Sequence, residues 1–247
     1  MSGKEDSAGI ALLRRGRELI LYDTGLLTVG DLERLLDGPA RPQPGGRDGV
    51  ERIAWSGGEA VRRRYRRGGW MAPLGPRYLY FGARWSRPFR EWRLLRDLGH
   101  SGLPVPDPLA ARLVRTGPYY RGEIWTRAVE GRPLPLAAAD PGGAGAAEAG
   151  AALGAVLRCF HDAGVDHPDL HVGNILVRGR GRRTDDYTLL DFDRGRRRRG
   201  GRWRARNLSR LARSLGRLPL SPAERAAWWW ALLAGYGGEE IKGDGAA

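Results

Sequence analysis

The chain has 247 residues, enough for one large domain or two lobes, and carries a formal net charge of +14 with a sequence pI near 10.9. That positive balance implies an anionic partner (nucleic acid, phosphorylated lipid or membrane surface), while a single cysteine, Cys159, excludes an intramolecular disulfide framework and fits a reducing compartment. The longest apolar stretch, Ala226 to Ala234, is too short to span a bilayer, and Met1 to Asp6 leads into no secretory core.

Ala11 to Leu13, a basic Arg14-Arg15-Gly16-Arg17 turn and Glu18 to Tyr22 read as a β-hairpin. Thr28 to Leu36 predicts a short helix with Asp31 and Glu33 in its first turn, and the Pro/Gly-rich Arg41 to Gly49 predicts a loop. Two strands, Val50 to Trp55 and Glu59 to Tyr65, flank Ser56-Gly57-Gly58. Phe89, Trp92 and Leu95 share one face of a helix over Pro88 to Leu98, which Leu103-Pro104-Val105-Pro106 terminates. Leu109 to Arg115 and Arg121 to Val129 read as another hairpin. After Glu130-Gly131 the character changes: Ala144 to His161 is helical, with Cys159 expected as a small packed residue. Ile175 to Arg178 and Tyr187 to Leu190 form a hairpin, and helices occupy the remainder from Asn207. There Leu208, Leu211, Leu215 and Leu218 predict a core-facing stripe, and Trp228 to Trp230 are expected to pack against the second lobe. The expected organisation is residues 1–49 as hairpin, short helix and loop, 50–130 as a β-rich lobe, and 131–247 as a helical lobe. The fold class is α+β, with a β-rich N-terminal lobe and a reduced helical C-terminal lobe.

Two phrases carry chemistry. His167-Pro168-Asp169-Leu170-His171-Val172-Gly173-Asn174 fits H-x-D-x-x-x-x-N, and Leu189-Leu190-Asp191-Phe192-Asp193 is a short apolar run ending in carboxylates. Phosphoryl transfer needs a carboxylate to orient the attacking hydroxyl and oxygen ligands to hold Mg²⁺ on the nucleotide. Asp169 suits the first task, and Asn174 with Asp191 the second. With these phrases the two lobes read as a bilobal protein-kinase-like fold, 50–130 as the nucleotide-binding lobe and 131–247 as the catalytic lobe. Asp and Asn favour turns for their own reasons, but a turn reading leaves unexplained the His before Asp169 and the second Asp at a strand end. His167 is expected to be structural. Pro168 stands where many regulated protein kinases carry Arg, Asp193 replaces the usual Gly, and no Ala-Pro-Glu phrase follows, so a substrate other than protein is expected.

The only lysines are Lys4 and Lys242, so any internal cation that grips ATP phosphates must be Arg. Strand alternation sets Val61, Arg63 and Tyr65 on one face. With Val61 and Tyr65 suited to the interior, Arg63 is expected to face the nucleotide with Glu91 as its partner; the competing reading is a solvated basic face. Gly45-Gly46-Arg47-Asp48-Gly49 is the candidate phosphate cover, although it lacks G-x-G-x-x-G.

Val61 to Gly69 (VRRRYRRGG), Arg77 to Leu79, Arg87 to Leu95 (RPFREWRLL), Gly102 to Pro108 (GLPVPDP), His167 to Leu176, Leu190 to Arg196 (LDFDRGR) and Asn207 to Leu215 together resemble the 3-deoxy-D-manno-octulosonic acid (Kdo) kinases of the lipopolysaccharide kinase group. The resemblance covers most of residues 10 to 218. It implies ATP and Mg²⁺ as cofactors, and transfer of phosphate to the 4-hydroxyl of a Kdo sugar on a Kdo-lipid A precursor. Arg63 matches a position where that family carries Arg. The chain departs from the family at Pro168 and in the Ala/Gly-rich Ala137 to Gly150, expected to be a surface segment. Arg194, Arg196, Arg197 and Arg198 lie in an eight-arginine run over residues 194 to 206 that suits an anionic glycolipid or membrane, or else is a disordered basic loop. Trp203 and Trp70 are candidates for the headgroup level. The expected setting is the cytoplasmic face of the inner membrane, as a peripheral protein, with neither nucleic acid nor an obligate protein partner. A kinase of another small sugar or aminoglycoside, and a non-catalytic basic lipid- or nucleic-acid-binding pseudokinase, remain as alternatives.

Overall fold

The computed structural model describes residues 3–6, 9–42, 50–65, 78–140 and 142–237. They cluster into two units, Met1–Asp97 with Pro106–Ala128, and Leu98–Val105 with Val129–Ala247. The glycine-containing segment 45–49, the 66–77 part of the basic phrase and Trp70 lie outside the described residues.

Extended, alternating segments build the first unit. Strands β1 (Gly3–Asp6), β2 (Ile10–Arg15), β3 (Glu18–Asp23), β4 (Arg41–Pro42), β5 (Val50–Trp55), β6 (Gly58–Arg64), β7 (Tyr78–Leu79), β8 (Pro108–Thr116) and β9 (Tyr119–Arg127) form one antiparallel sheet of order β1-β2-β3-β8-β9-β6-β5-β4, with β7 pairing β9. The segment set apart above as residues 1–49 therefore continues this sheet, because β3 pairs β8 from Glu18↔Val114 to Tyr22↔Ala110. Helix α1 (Val29–Asp37) opens with a capping box in which Thr28 and Asp31 satisfy each other's backbone. Asp31 also accepts from the Ser56 N–H at 3.3 Å, tying α1 to the β5–β6 turn; the bonds from Ser56 and Thr28 hold its carboxyl down at about 2. Leu32, Leu35 and Leu36 of α1 pack on Ile20, Ile53, Trp55 and Trp125 in the core. Helix α2 (Arg87–His100) buries Phe89, Trp92, Leu95 and Leu98 at helical spacing, as the sequence pattern predicts.

The second unit is helical with small sheets. Strands β10 (Arg132–Pro133), β12 (Ile175–Val177) and β13 (Tyr187–Leu189) form one, and β11 (Val165–Asp166) pairs with β14 (Arg196–Arg197). Its helices are α3 (Leu134–Ala137), α4 (Ala147–Asp162), α5 (Trp203–Ser214) and α6 (Pro222–Gly237). The leucine stripe is buried at Leu208, Leu211, Leu215 and Leu218.

Four expectations need correction here. Ala137 to Gly150 is not a surface segment: Ala137, Ala138, Ala144 and Ala149 are buried, and Trp228 Nε1 donates to the Ala144 carbonyl at 3.0 Å. Of the three consecutive tryptophans only Trp228 is buried, and Trp230 is 69% exposed, because successive helical residues point about 100° apart. Cys159 is exposed, on the face of α4 away from buried Val156, Leu157 and Phe160. The helix expected from Asn207 starts at Trp203, whose burial adds a first turn.

Small residues set the spacing of α4 and α6. A Cβ on Gly154 would stand 2.1 Å from the Leu232 carbonyl oxygen, and one on Gly235 would stand 2.1 Å from that of Ala151. Gly154→Ala is therefore expected to lower stability by about 1–3 kcal/mol through overpacking, against its own helix propensity. Gly99→Ala, where a Cβ meets nothing within 4 Å, should raise it by about 0.5 kcal/mol. Urea denaturation of both variants checks the contrast.

Candidate active site

The loop that leaves β11 is closed by its own short-range bonds. Leu170 N–H donates to the His167 carbonyl at 3.1 Å, Asn174 N–H to that of His171 at 2.9 Å, and Gly173 N–H to Nδ1 of His171 at 3.0 Å. The Asn174 side-chain Nδ2 donates to the Asp169 carbonyl at 3.0 Å, linking the two residues that the five-residue spacing paired. Leu190 N–H then donates to the Asn174 carbonyl at 2.9 Å, which brings the residue before Asp191 to the end of the loop.

His167 is buried beneath this arrangement. Its Nε2 lies 3.0 Å from the Leu190 carbonyl, and its ring is 4.6 Å from Phe192, which stacks on Phe160 at 6.0 Å. Burial pushes its pKa down. The imidazole is thus neutral, with its proton on Nε2, where a carbonyl must be met by a donor. Asp191 has φ of 64°, the sole non-glycine residue in the left-handed region among the described residues. Such a backbone costs about 1–2 kcal/mol, and it is held here by Leu190 on one side and buried Phe192 on the other.

Helix α5 supports the loop from outside. In the amide orientation that satisfies both its atoms, Asn207 donates to the His167 carbonyl at 2.8 Å and accepts from the His167 N–H at 3.1 Å. Ser214 Oγ accepts from Val172 N–H at 3.0 Å, and Arg210 Nη1 lies 3.3 Å from Asp169 Oδ1. Composition and motif spacing do not reveal these three roles. The available signal is polar residues at positions 207, 210 and 214 beside the leucine stripe, a helical spacing that sets them on one side.

In the first unit, Arg63 on β6 and Glu91 on α2 form an ion pair at 2.5 Å. Glu91 is buried and also accepts from the Tyr65 hydroxyl, while the Arg63 guanidinium lies 4.9 Å over the Tyr65 ring. Val61, expected in the interior, is half-buried. Its buried neighbour is Arg62, whose Nη2 lies 2.6 Å from Glu51. A buried carboxylate needs such donors, since its desolvation otherwise exceeds what folding returns.

Half of the arginine run, four of its eight members, is engaged with the protein itself. Arg196 and Arg198 lie 3.2 and 2.8 Å from Oδ2 of buried Asp166, Arg197 donates to the Ala163 carbonyl at 2.8 Å, and Arg204 donates to the His161 carbonyl at 3.0 Å. Arg194 is exposed. Trp203 corrects the headgroup expectation: it is 2% exposed, with its ring edge-on to His161 at 5.1 Å, so it meets no external surface.

Among the described residues no group of three or more His, Cys, Asp or Glu is arranged to hold a metal alone. The donors present fit Mg²⁺ of a different kind. Asn174 gives its Nδ2 to Asp169 and keeps its amide oxygen, and Asp191 supplies a carboxylate. Mg²⁺ takes one or two such hard oxygens together with phosphate oxygens.

The sequence model of the lipopolysaccharide kinase (Kdo/WaaP) family matches residues 43–236, a span that includes Arg63, Glu91, Asp169, Asn174, Asp191 and Arg210. The chain belongs to that family. It is a phosphotransferase with an α+β, kinase-like fold. Among similar proteins, one from Xanthomonas oryzae pv. oryzae (strain PXO99A) is 43% identical over 182 residues, 72% of this chain and 71% of that protein. One from Xylella fastidiosa (strain 9a5c) is 42% identical over 173 residues, 69% and 67% of the two chains. One from Xanthomonas euvesicatoria pv. vesicatoria (strain 85-10) is 40% identical over 213 residues, 83% and 82%. Each bears the name 3-deoxy-D-manno-octulosonic acid kinase.

The second unit buries another neutral imidazole. His161 has Nδ1 2.6 Å from the Tyr236 hydroxyl, and burial first, then Arg204, lowers its pKa to about 3. The folded pKa lies below the unfolded value near 6.5, so between these values the unfolded chain binds the proton that the folded chain refuses. Stability from this group is complete above about pH 6.5 and is lost as pH falls toward 3; buried His167 adds in the same direction. The thermal midpoint is expected to drop between pH 7 and 5, above the range of ordinary carboxylates. His161→Gln should be less stable at pH 7 and show a shallower drop. Scanning calorimetry across that interval measures both.

Proposed function

We propose that the chain transfers the γ-phosphoryl group of ATP to the 4-hydroxyl of a Kdo sugar on a Kdo-lipid A precursor, in lipopolysaccharide core assembly. The observation that carries this reading is the hydrogen-bonded junction of Asp169, Asn174 and Leu190-Asp191, in a chain 39–43% identical to proteins named for phosphorylating that sugar. Asp169 orients the acceptor hydroxyl and takes its proton as the hydroxyl oxygen bonds to the γ-phosphorus. The bond from that phosphorus to the β–γ bridging oxygen breaks, and ADP leaves. Arg210, 3.3 Å from Asp169 Oδ1, fixes which way that carboxylate faces. When bound, Mg²⁺ held by Asn174 and Asp191 would neutralise charge on the nucleotide phosphates. Arg63, braced by Glu91 and Tyr65, presents a planar fork suited to phosphate oxygens.

The proposed setting is the cytoplasmic face of the inner membrane, with the protein peripheral. No described helix is long and apolar enough to cross a membrane, and the charge of +14 favours an anionic surface. Exposed Arg194, which follows Asp193, is the member of the arginine run best able to meet an acceptor anion.

Purified protein, ATP, Mg²⁺ and Kdo-lipid A precursor should give a product whose mass rises by one phosphate carried on the Kdo residue. Preference for a Kdo-free sugar in a competition assay would replace the acceptor. Asp169→Ala should cut transfer by about 10²- to 10⁴-fold while nucleotide binding stays within a few-fold. Asp191→Ala should weaken nucleotide binding only when Mg²⁺ is present, read by titration calorimetry with and without the metal. Asp169→Ala at full activity would remove the mechanism.

A further inference from the structure

One end of the first unit's sheet carries charge and apolar surface that phosphoryl transfer leaves unused. The β2–β3 turn and the β8–β9 turn meet there, since Arg115 N–H donates to the Arg17 carbonyl at 3.0 Å. Tyr80 N–H donates to the Pro118 carbonyl at 2.9 Å and brings the segment after β7 to the same end. Arg14, Arg17, Arg115, Tyr80 and Leu19, with the glycines of both turns, line a pocket of about 400 Å³. The Arg115 guanidinium lies 4.3 Å over the Tyr80 ring. The nearby carboxylates are already answered: Glu18 by Arg15 and Arg112, and Asp37 by Arg15. Among the described residues none of Arg14, Arg17 and Arg115 has an acidic partner.

Apolar surface gathers beside this pocket. Leu79 and Tyr119 are cross-strand partners, 50% and 40% exposed, on the side of the sheet opposite buried Tyr78 and Tyr120. Phe81 and Trp85, 78% and 66% exposed, lie on the segment that runs from β7 into α2. Half of the eight large hydrophobic side chains exposed among the described residues fall in this stretch, so their grouping asks for an occupant.

We propose that this end of the sheet docks on an anionic phospholipid bilayer, with Leu79, Phe81, Trp85 and Tyr119 entering the headgroup layer and the three-arginine pocket taking a lipid phosphate. The inference rests on the peripheral-membrane reading above and names the surface responsible. Arginine forks match phosphate oxygens in pairs, and aromatic rings with polar edges suit the boundary between acyl chains and water. A second copy of the chain would cover the apolar residues but would bring two clusters of unpaired arginines together. A bilayer answers both features, because its phosphates lie directly above its apolar layer.

Co-sedimentation of the full chain with vesicles tests this, using phosphatidylglycerol in phosphatidylcholine against phosphatidylcholine alone. The unmodified chain should bind the anionic vesicles, less so at high salt. Arg14→Gln with Arg17→Gln and Arg115→Gln should lower that binding on the order of a hundred-fold, at about one kcal/mol per arginine. Phe81→Ser with Trp85→Ser should lower it about ten-fold while the anionic preference persists. Both variants should keep the circular dichroism of the parent and its rate on a water-soluble Kdo acceptor. An unmodified chain that ignores anionic vesicles overturns this inference and the peripheral reading together. Vesicle binding that both variants retain overturns only the surface named here. Displacement by millimolar inorganic phosphate would give the pocket to a soluble anion, and a dimer lost in Phe81→Ser/Trp85→Ser would give the apolar patch to a second copy; either result rejects the bilayer.

Discussion

The second unit depends on one contact, the neutral imidazole of buried His167 against the Leu190 carbonyl at 3.0 Å. It joins the segment that carries Asp169 and Asn174 to the segment that carries Asp191. The ring itself is buried, so charging it would cost a great deal. Phe192 fills the space on the other side of the ring and is itself backed by Phe160. Between these two anchors, at residues 190 and 192, Asp191 has little choice of backbone, and its positive φ follows from the fixed positions of its neighbours.

Arginine serves nearly every cationic role in this molecule, and what each one does is set by whether an acid stands beside it. Arg62 with Glu51, Arg63 with Glu91, Arg112 with Glu123, and Arg196 and Arg198 with Asp166 all neutralise carboxylates that the fold takes at least partly out of water. Their charge is answered locally and contributes little to any long-range field. The +14 of the whole chain is therefore a poor map of where anions bind. Half of the eight-arginine run, prominent in the sequence, is occupied by its own protein, whereas Arg14 and Arg17, about a hundred positions before Arg115, gather with it at one sheet end with no acidic partner among the described residues.

Much of this was legible before any coordinates. The two strands around Ser56-Gly57-Gly58, the Phe89/Trp92/Leu95 helix face and the leucine stripe are local patterns, and local patterns survive folding. What escaped was set by tertiary contact. Nothing in the sequence around Trp203 says that His161 waits beneath it, so a tryptophan among arginines read as a headgroup residue when it is a core residue. Ala137 to Gly150 looked like a surface segment because small residues give no hydrophobic signal, yet smallness is what lets Gly150 of α4 approach the Trp228 carbonyl of α6, which would stand 2.5 Å from an added Cβ. The three tryptophans at 228–230 read as one feature, but a helix sends each in a different direction.

Helix α5 shows how a family phrase can be understood as a contact surface. Its leucines face the core, as the 3.6-residue period requires, and that burial fixes the rotation of the helix about its axis. Once the rotation is fixed, the polar residues at 207, 210 and 214 have only one place to go. Asn207 meets both backbone groups of His167, Ser214 meets Val172 N–H, and Arg210 reaches Asp169. Asn207 and Ser214 satisfy backbone groups of His167 and Val172 that the loop would otherwise bury unpaired, while Arg210 meets an exposed carboxylate. A helix held by its apolar face thereby holds the loop from His167 to Asn174 by its polar one. The amphipathic pattern and the geometry of that loop are thus one constraint, seen from two sides of the same helix.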